Sequence, residues 1–255
     1  MSTLMTFEHP LNERVRTFLR IEHLFERLNY FAPQYDAWAT RVAVETLLDI
    51  ASVTARADVK TELLKELDRN MATLKRFGDQ PGVDPRALEQ VLGDLADAVG
   101  GVHRLSGPIG QIAREDDLLK SVAQRSSIPG GACSFDLPQF HHWLIQVPEI
   151  RQARLDHWLQ DLRPAERAIR LVLSLARTSA SPRQVLAEGG FFQEALDVQA
   201  PAQMVRVGIN GTGALYPEIS GHKSRFSIRF MKTGPQGRPS QIPENIPFNL
   251  TCCVF

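Results

Sequence analysis

The hydrophobic pattern of this 255-residue chain changes its period once, and that change limits the folds open to it. Up to about residue 180, apolar side chains recur every three or four positions, as on one face of a helix. Leu11, Val15, Phe18, Leu19, Phe25 and Leu28 form one such stripe, ended by the loop at Ala32-Pro33. A second helix is expected over 36–53. Asp58 opens a third as an N-cap, with Leu63, Leu64, Leu67, Met71 and Leu74 along one side, closed by Gly78 and Gln80-Pro81-Gly82. Asp84-Pro85 pairs an N-cap with a proline at the first helical position and starts a fourth helix, running to Gly100-Gly101. Further helical stretches are expected over 109–124, 137–146, 148–161 and 164–178. After Ser179-Ala180-Ser181-Pro182 strict alternation takes over, in Val205, Val207 and Ile209, in Phe226, Ile228 and Phe230, and in Phe248, Leu250 and Cys252.

The expected fold class is therefore α+β. A mainly α-helical domain covers 1–180 and a small antiparallel β-sheet domain covers 181–255. The segment 127–136, Ser127-Ile128-Pro129-Gly130-Gly131-Ala132-Cys133-Ser134-Phe135-Asp136, interrupts the helices and is a candidate extra strand of that sheet. Three or four strands in so short a stretch make a thin core, so the sheet is expected to lean on the helical part.

Composition removes several classes. Lys plus Arg and Asp plus Glu both number 29, so no global charge draws the chain to nucleic acid or acidic lipid. No apolar run approaches the roughly 18 residues that suggest a membrane span, and residues 1–13 lack the basic-then-apolar order of a secretory signal. Three cysteines, two of them adjacent, make no disulfide framework. A soluble protein of a reducing cytoplasm, without membrane insertion, is expected.

The motifs of catalysis are absent or better explained otherwise. Gly208-Ile209-Asn210-Gly211-Thr212-Gly213 has glycines but runs into Tyr216-Pro217 rather than a helix, so it reads as a turn between strands. His141 and His142 are adjacent and diverge by about 100° on a helix, so they cannot chelate together. Cys133 reads as a small buried residue rather than a nucleophile, and His222 with Cys252 and Cys253 has no metal-ligand spacing. No enzyme, cofactor or metal is expected.

One feature stands above this background. Between Met204 and Arg238 lie Arg206, Lys223, Arg225, Arg229, Lys232 and Arg238 against one acid, Glu218. If Arg225–Phe230 is a strand, Phe226, Ile228 and Phe230 enter a core, while Lys223, Arg225, Ser227 and Arg229 form a cationic comb on the other face, with teeth about 7 Å apart. Such a comb calls for acids, either from the helical part or from a carboxylate-bearing ligand. A nucleic-acid-binding module using strand 222–232 is the alternative. Inward-facing aromatics and the balanced total charge favour a peptide, with no nucleic-acid partner.

Several blocks recur in one order over nearly the whole chain. They are Phe7-Glu8-His9-Pro10-Leu11-Asn12-Glu13 running on to Arg20-Ile21-Glu22; Thr61-Glu62-Leu63-Leu64-Lys65-Glu66-Leu67-Asp68-Arg69; Ser127-Ile128-Pro129-Gly130-Gly131; Cys133-Ser134-Phe135-Asp136-Leu137-Pro138; and Leu215-Tyr216-Pro217 with Ile219-Ser220-Gly221-His222-Lys223-Ser224-Arg225-Phe226. Together they resemble the ZapD family of bacterial Z-ring-associated cell-division proteins. The resemblance implies a non-enzymatic cytoplasmic protein at the midcell division site. It implies binding to the C-terminal tail of FtsZ, the tubulin-like division protein, and crosslinking of FtsZ protofilaments into bundles by a symmetric homodimer. It assigns the tail to Arg56, His222, Lys223, Arg225 and Arg229. The dimer contact falls in the helical part, where Arg16, Arg20 and Glu22 are the candidates.

Overall fold

Aspartates set the starts of several helices. The computed structural model describes residues 4–56, 58–78, 82–197, 199–211, 215–222, 224–234 and 237–254, with Arg56 described by its backbone alone. The helices are α1 (Glu13–Phe31), α2 (Ala37–Arg56), α3 (Val59–Phe77), α4 (Pro85–His103), α5 (Gln111–Glu115), α6 (Asp117–Arg125), α7 (Pro138–Leu144), α8 (Pro148–Leu159) and α9 (Arg163–Thr178). Asp58 Oδ1 accepts from the Thr61 amide at 3.1 Å, and Asp84 Oδ1 from the Arg86 amide at 2.9 Å, each satisfying a donor the helix leaves orphaned. Asp116 is another. Extended itself, it accepts from the Leu119 amide at 3.0 Å and so splits the single helix expected over 109–124 into α5 and α6. α4 passes through Gly100-Gly101 instead of stopping there. A mid-helix glycine costs only about 1 kcal/mol, and continuing the helix keeps Val102 fully buried.

The chain divides into two compact units, Arg20–Val172 and Met1–Leu19 with Leu173–Phe255, with borders inside α1 and α9 rather than at residue 180. The first is helical. Its core includes Leu28, Val44, Leu47, Ile50, Leu63, Leu67, Leu95 and Trp158, all without solvent exposure. Segment 127–136 belongs to this unit and is a run of turns, not a strand. The amides of Ile128, Gly131 and Cys133 donate to carbonyls three residues back, at 3.0, 2.8 and 3.0 Å, which leaves them unavailable for a sheet ladder. Among the described residues no helix is long and apolar enough to cross a membrane.

The second unit carries β1 (Leu4–Pro10), β2 (Arg183–Ala187), β3 (Phe191–Ala195), β4 (Met204–Asn210), β5 (Leu215–His222), β6 (Arg225–Thr233), β7 (Pro239–Gln241) and β8 (Ile246–Cys253). Where one small sheet is expected, the described residues form two, in the orders β1-β4-β8-β2 and β3-β6-β5, with β7 also on β6 and every pair antiparallel. Alternation along β4, β6 and β8 sends Val205, Val207, Ile209, Phe226, Ile228, Phe230, Phe248 and Leu250 into one shared core. Phe192 and Phe230 meet Phe248 at 5.4 and 5.1 Å between ring centres. The core is therefore filled from both sheets, and β1 adds Met5 and Phe7 to it. The fold class is α+β, with one strand placed ahead of the helices.

Candidate functional site

Alternation on β6 exposes Arg225 and Arg229 and half-buries Ser227 between them, while Phe226, Ile228 and Phe230 are buried. The basic comb thus exists on the outer face of the β3-β6-β5 sheet. Its two described arginines are four residues apart, about 13 Å in an extended strand. At that distance their repulsion in water is only about 0.3 kcal/mol, so the face does not demand internal neutralisation. Neither guanidinium has an ion pair or hydrogen bond among the described residues. The β5 partners on this face are His222 opposite Arg225, Ser220 opposite Ser227 and Glu218 opposite Arg229. Although Glu218 faces Arg229, no ion pair joins them. On the other flank β3 sets Ala195, Gln193 and Phe191 beside the same three residues.

Gly221 shapes the end of this face. A side chain there would bring a Cβ to 2.7 Å from Phe226 Cβ and 3.0 Å from Leu11 Cδ2, so only glycine lets β5 lie this close to the core. His222 then projects outward, and its Nδ1 lies 3.0 Å from the Ser224 hydroxyl. Behind Gly221 sits His9 of β1, whose Nε2 is buried without a hydrogen-bond partner among the described residues. Burial and the nearby Arg16 charge hold its imidazole below the usual histidine range, against a smaller opposing effect of a hydrogen bond to the Gly221 backbone. A depressed histidine pKa favours the neutral folded form, so this stability is complete above the unfolded value of 6.5 and is lost as pH falls through the folded value. The thermal midpoint of the native chain is therefore expected to fall between neutral and mildly acidic pH, and His9→Gln to flatten that fall. Equal slopes in melts of the two proteins would contradict it.

The remaining sequence candidates distribute as follows. Arg206 does not belong to the open face. It lies opposite Glu8 on the β1–β4 ladder, and the Glu8 carboxylate accepts from Arg206 Nε at 3.0 Å and from Arg177 Nε and Nη2 at 2.9 and 2.8 Å. Lys223 and the Arg56 side chain lie outside the described residues. Arg16, Arg20 and Glu22 all lie on α1. Arg16 Nε donates to Glu13 at 3.0 Å, Glu22 is half-buried and engaged within the molecule, and Arg20 is exposed with no ion pair among the described residues. Cys133 donates to Asp136 at 3.3 Å, and Asp136 is itself paired with Arg125. Burial pushes the Cys253 thiol up to about 11, and burial followed by the Glu194 charge also raises Cys252, so neither is a ready thiolate. Among the described residues no group of three or more His, Cys, Asp and Glu is placed to hold a metal.

Sequence reasoning singled out Glu218 as the one acid of this region but missed that it stands opposite Arg229, and it missed Phe191 and Tyr216 on the flanking strands. Five residues of β3 beginning with a Phe-Phe pair carry too little alternation to reveal which phenylalanine faces out.

Comparison with known proteins adds a consistent set of relatives. Residues 19–229 match the model of a family described as ZapD, cell division protein. The chain is 42% identical over 255 residues to the cell division protein ZapD of Methylococcus capsulatus, covering the whole of both chains. It is also 42% identical over 253 residues to the cell division protein ZapD of Escherichia coli O1:K1, spanning 99% of this chain and all of that one.

Proposed function

This chain belongs to the ZapD family of cell division proteins, and we propose that it binds the C-terminal tail of FtsZ on the Arg225–Arg229 face and, as a homodimer, crosslinks FtsZ protofilaments. The observation that carries the reading is the pair of exposed guanidinium groups on an open sheet face, joined to no acid by an ion pair among the described residues. An arginine fork is built to take a carboxylate from a partner. His222 adds a polar edge to the face. Lys223 and Arg56 join as contacts on the family resemblance alone, and α1, with Arg16, Arg20 and Glu22, supplies the dimer contact on the same ground.

The chemistry is recognition without catalysis, in the cytoplasm at the midcell Z-ring. One exposed ion pair contributes only about 0.2–1 kcal/mol, so a single tail is held weakly. A dimer facing a filament with one tail on every subunit gains roughly 10²–10⁴ in apparent affinity by linkage. Weak grip on an isolated tail together with strong bundling is the signature of this design. Co-sedimentation tests it: full-length FtsZ pellets as bundles with this protein, and FtsZ lacking its tail stays in the supernatant. Equal pelleting of both forms would contradict the proposal.

A further inference from the structure

Building on the tail-binding reading, we infer that this sheet face recognises an apolar residue as well as acids, through a shelf made by Phe191, Met231 and Tyr216 beside Arg229. The register sets the shelf out. Phe191, Arg229 and Glu218 form one row across β3, β6 and β5, and the next row holds Gln241, Met231 and Tyr216. Strands lie about 4.8 Å apart and successive same-face rows about 7 Å apart, so Met231 is within reach of both Phe191 and Tyr216, which flank the Arg229 stem from opposite sides.

One exposed phenylalanine is ordinary on a protein surface. Here the circumstances are more specific. Phe192 already takes the inward position of β3, packing against Phe226 and edge-on against Phe248, so Phe191 is turned outward, 37% exposed, with no core role. Met231 and Tyr216, on the same outer face, are each only half-buried. An apolar group next to an unpaired guanidinium is the composition of an interaction anchor, where excluding water strengthens the charged contact.

Charge selects the occupant and its placement. Arg225 and Arg229 call for carboxylates about four extended residues apart. Glu218 stands on the β5 side of Arg229 and repels an incoming acid from that side, so the carboxylate reaches Arg229 from the β3 side. The side chain two positions from that carboxylate points to the same face and lies over Phe191 and Met231. The occupant is an extended acidic segment of the tail with an apolar residue two positions from one acid, rather than a purely acidic one.

The test uses the full chain and two fluorescein-labelled peptides, the FtsZ C-terminal tail and the same tail with its apolar residues replaced by serine. Phe191→Ser is expected to weaken the natural tail about tenfold without changing the slope of affinity against salt. It is expected to bind the serine-replaced tail as the unsubstituted chain does. Phe191→Leu restores most of the natural affinity, which separates a lost apolar contact from a damaged fold. Natural-tail binding by Phe191→Ser within about twofold of the unsubstituted chain overturns the shelf while leaving the arginine contacts standing. If Arg225→Ala with Arg229→Ala leaves tail binding unchanged, the tail-binding reading itself fails and the shelf falls with it.

Discussion

Under the proposed function, replacing Arg225 and Arg229 together by alanine is expected to abolish FtsZ bundling while the fold and the proposed dimer persist. Both side chains are exposed and make no ion pair or hydrogen bond among the described residues, so their removal leaves nothing buried and unpaired. Substitutions of that kind usually change stability by no more than about 0.5 kcal/mol. Binding responds differently. Two exposed arginine contacts at up to about 1 kcal/mol each contribute about 2 kcal/mol, or about 30-fold per tail. A crosslink needs two tails held at once, so the loss enters twice and reaches about 10³. Light scattering of FtsZ filaments with native and doubly substituted protein measures this directly, with the thermal midpoint as the fold control. Normal scattering from the double variant would remove the face from the mechanism.

Gly190→Ala is expected to unfold the sheet unit more readily than any surface change. Gly190 has φ +70° and lies in the turn between β2 and β3, where its carbonyl accepts from the Phe230 amide at 2.8 Å. A Cβ at this position would stand 2.0 Å from the Ile242 carbonyl oxygen and 3.0 Å from its carbon, both rigid backbone atoms. The Ile242 amide in turn donates to Phe230 at 2.9 Å, so the obstructing backbone is held in place. Left-handed strain of about 1 kcal/mol adds to an overlap that must displace a strand partner, for a total of about 3 kcal/mol or more. For a chain of this size that lowers the melting midpoint by roughly 6–12 °C. Gly189, at φ +54°, provides the control, because the nearest atom to its Cβ would be 3.7 Å away. Gly189→Ala carries only the backbone strain. Equal midpoints for the two variants would show that the Ile242 contact is not the constraint described.

The elements readable from sequence were those whose signal is local. Asp58 and Asp84-Pro85 announce helix starts because the cap is made by residues two or three positions away. β4, β6 and β8 are long enough for alternation to show which side chains enter the core. β1, β2, β3 and β7 are short or sit beside stronger helical patterns, and they are strands only because distant partners complete their ladders. β5 is interrupted in character by Pro217 and Gly221, and its pairing with β6 along eight positions overrides both. Likewise the acid that neutralises Arg206 is Glu8, 198 positions away, so the sequence near Arg206 could not distinguish a paired cation from an available one. The Arg225–Arg229 comb was legible because it needs only the two-residue period of its own strand. Its apolar flank came from register between strands, which no local pattern encodes.

Titration of a labelled FtsZ tail peptide with the native chain and with the Arg225→Ala, Arg229→Ala double variant, from about 50 to about 300 mM salt, bears most directly on the cationic face. Native protein is expected to bind weakly and to lose affinity steadily as salt rises, while the double variant binds poorly throughout with little salt dependence. A double variant that matches the native titration at every salt concentration would contradict the account.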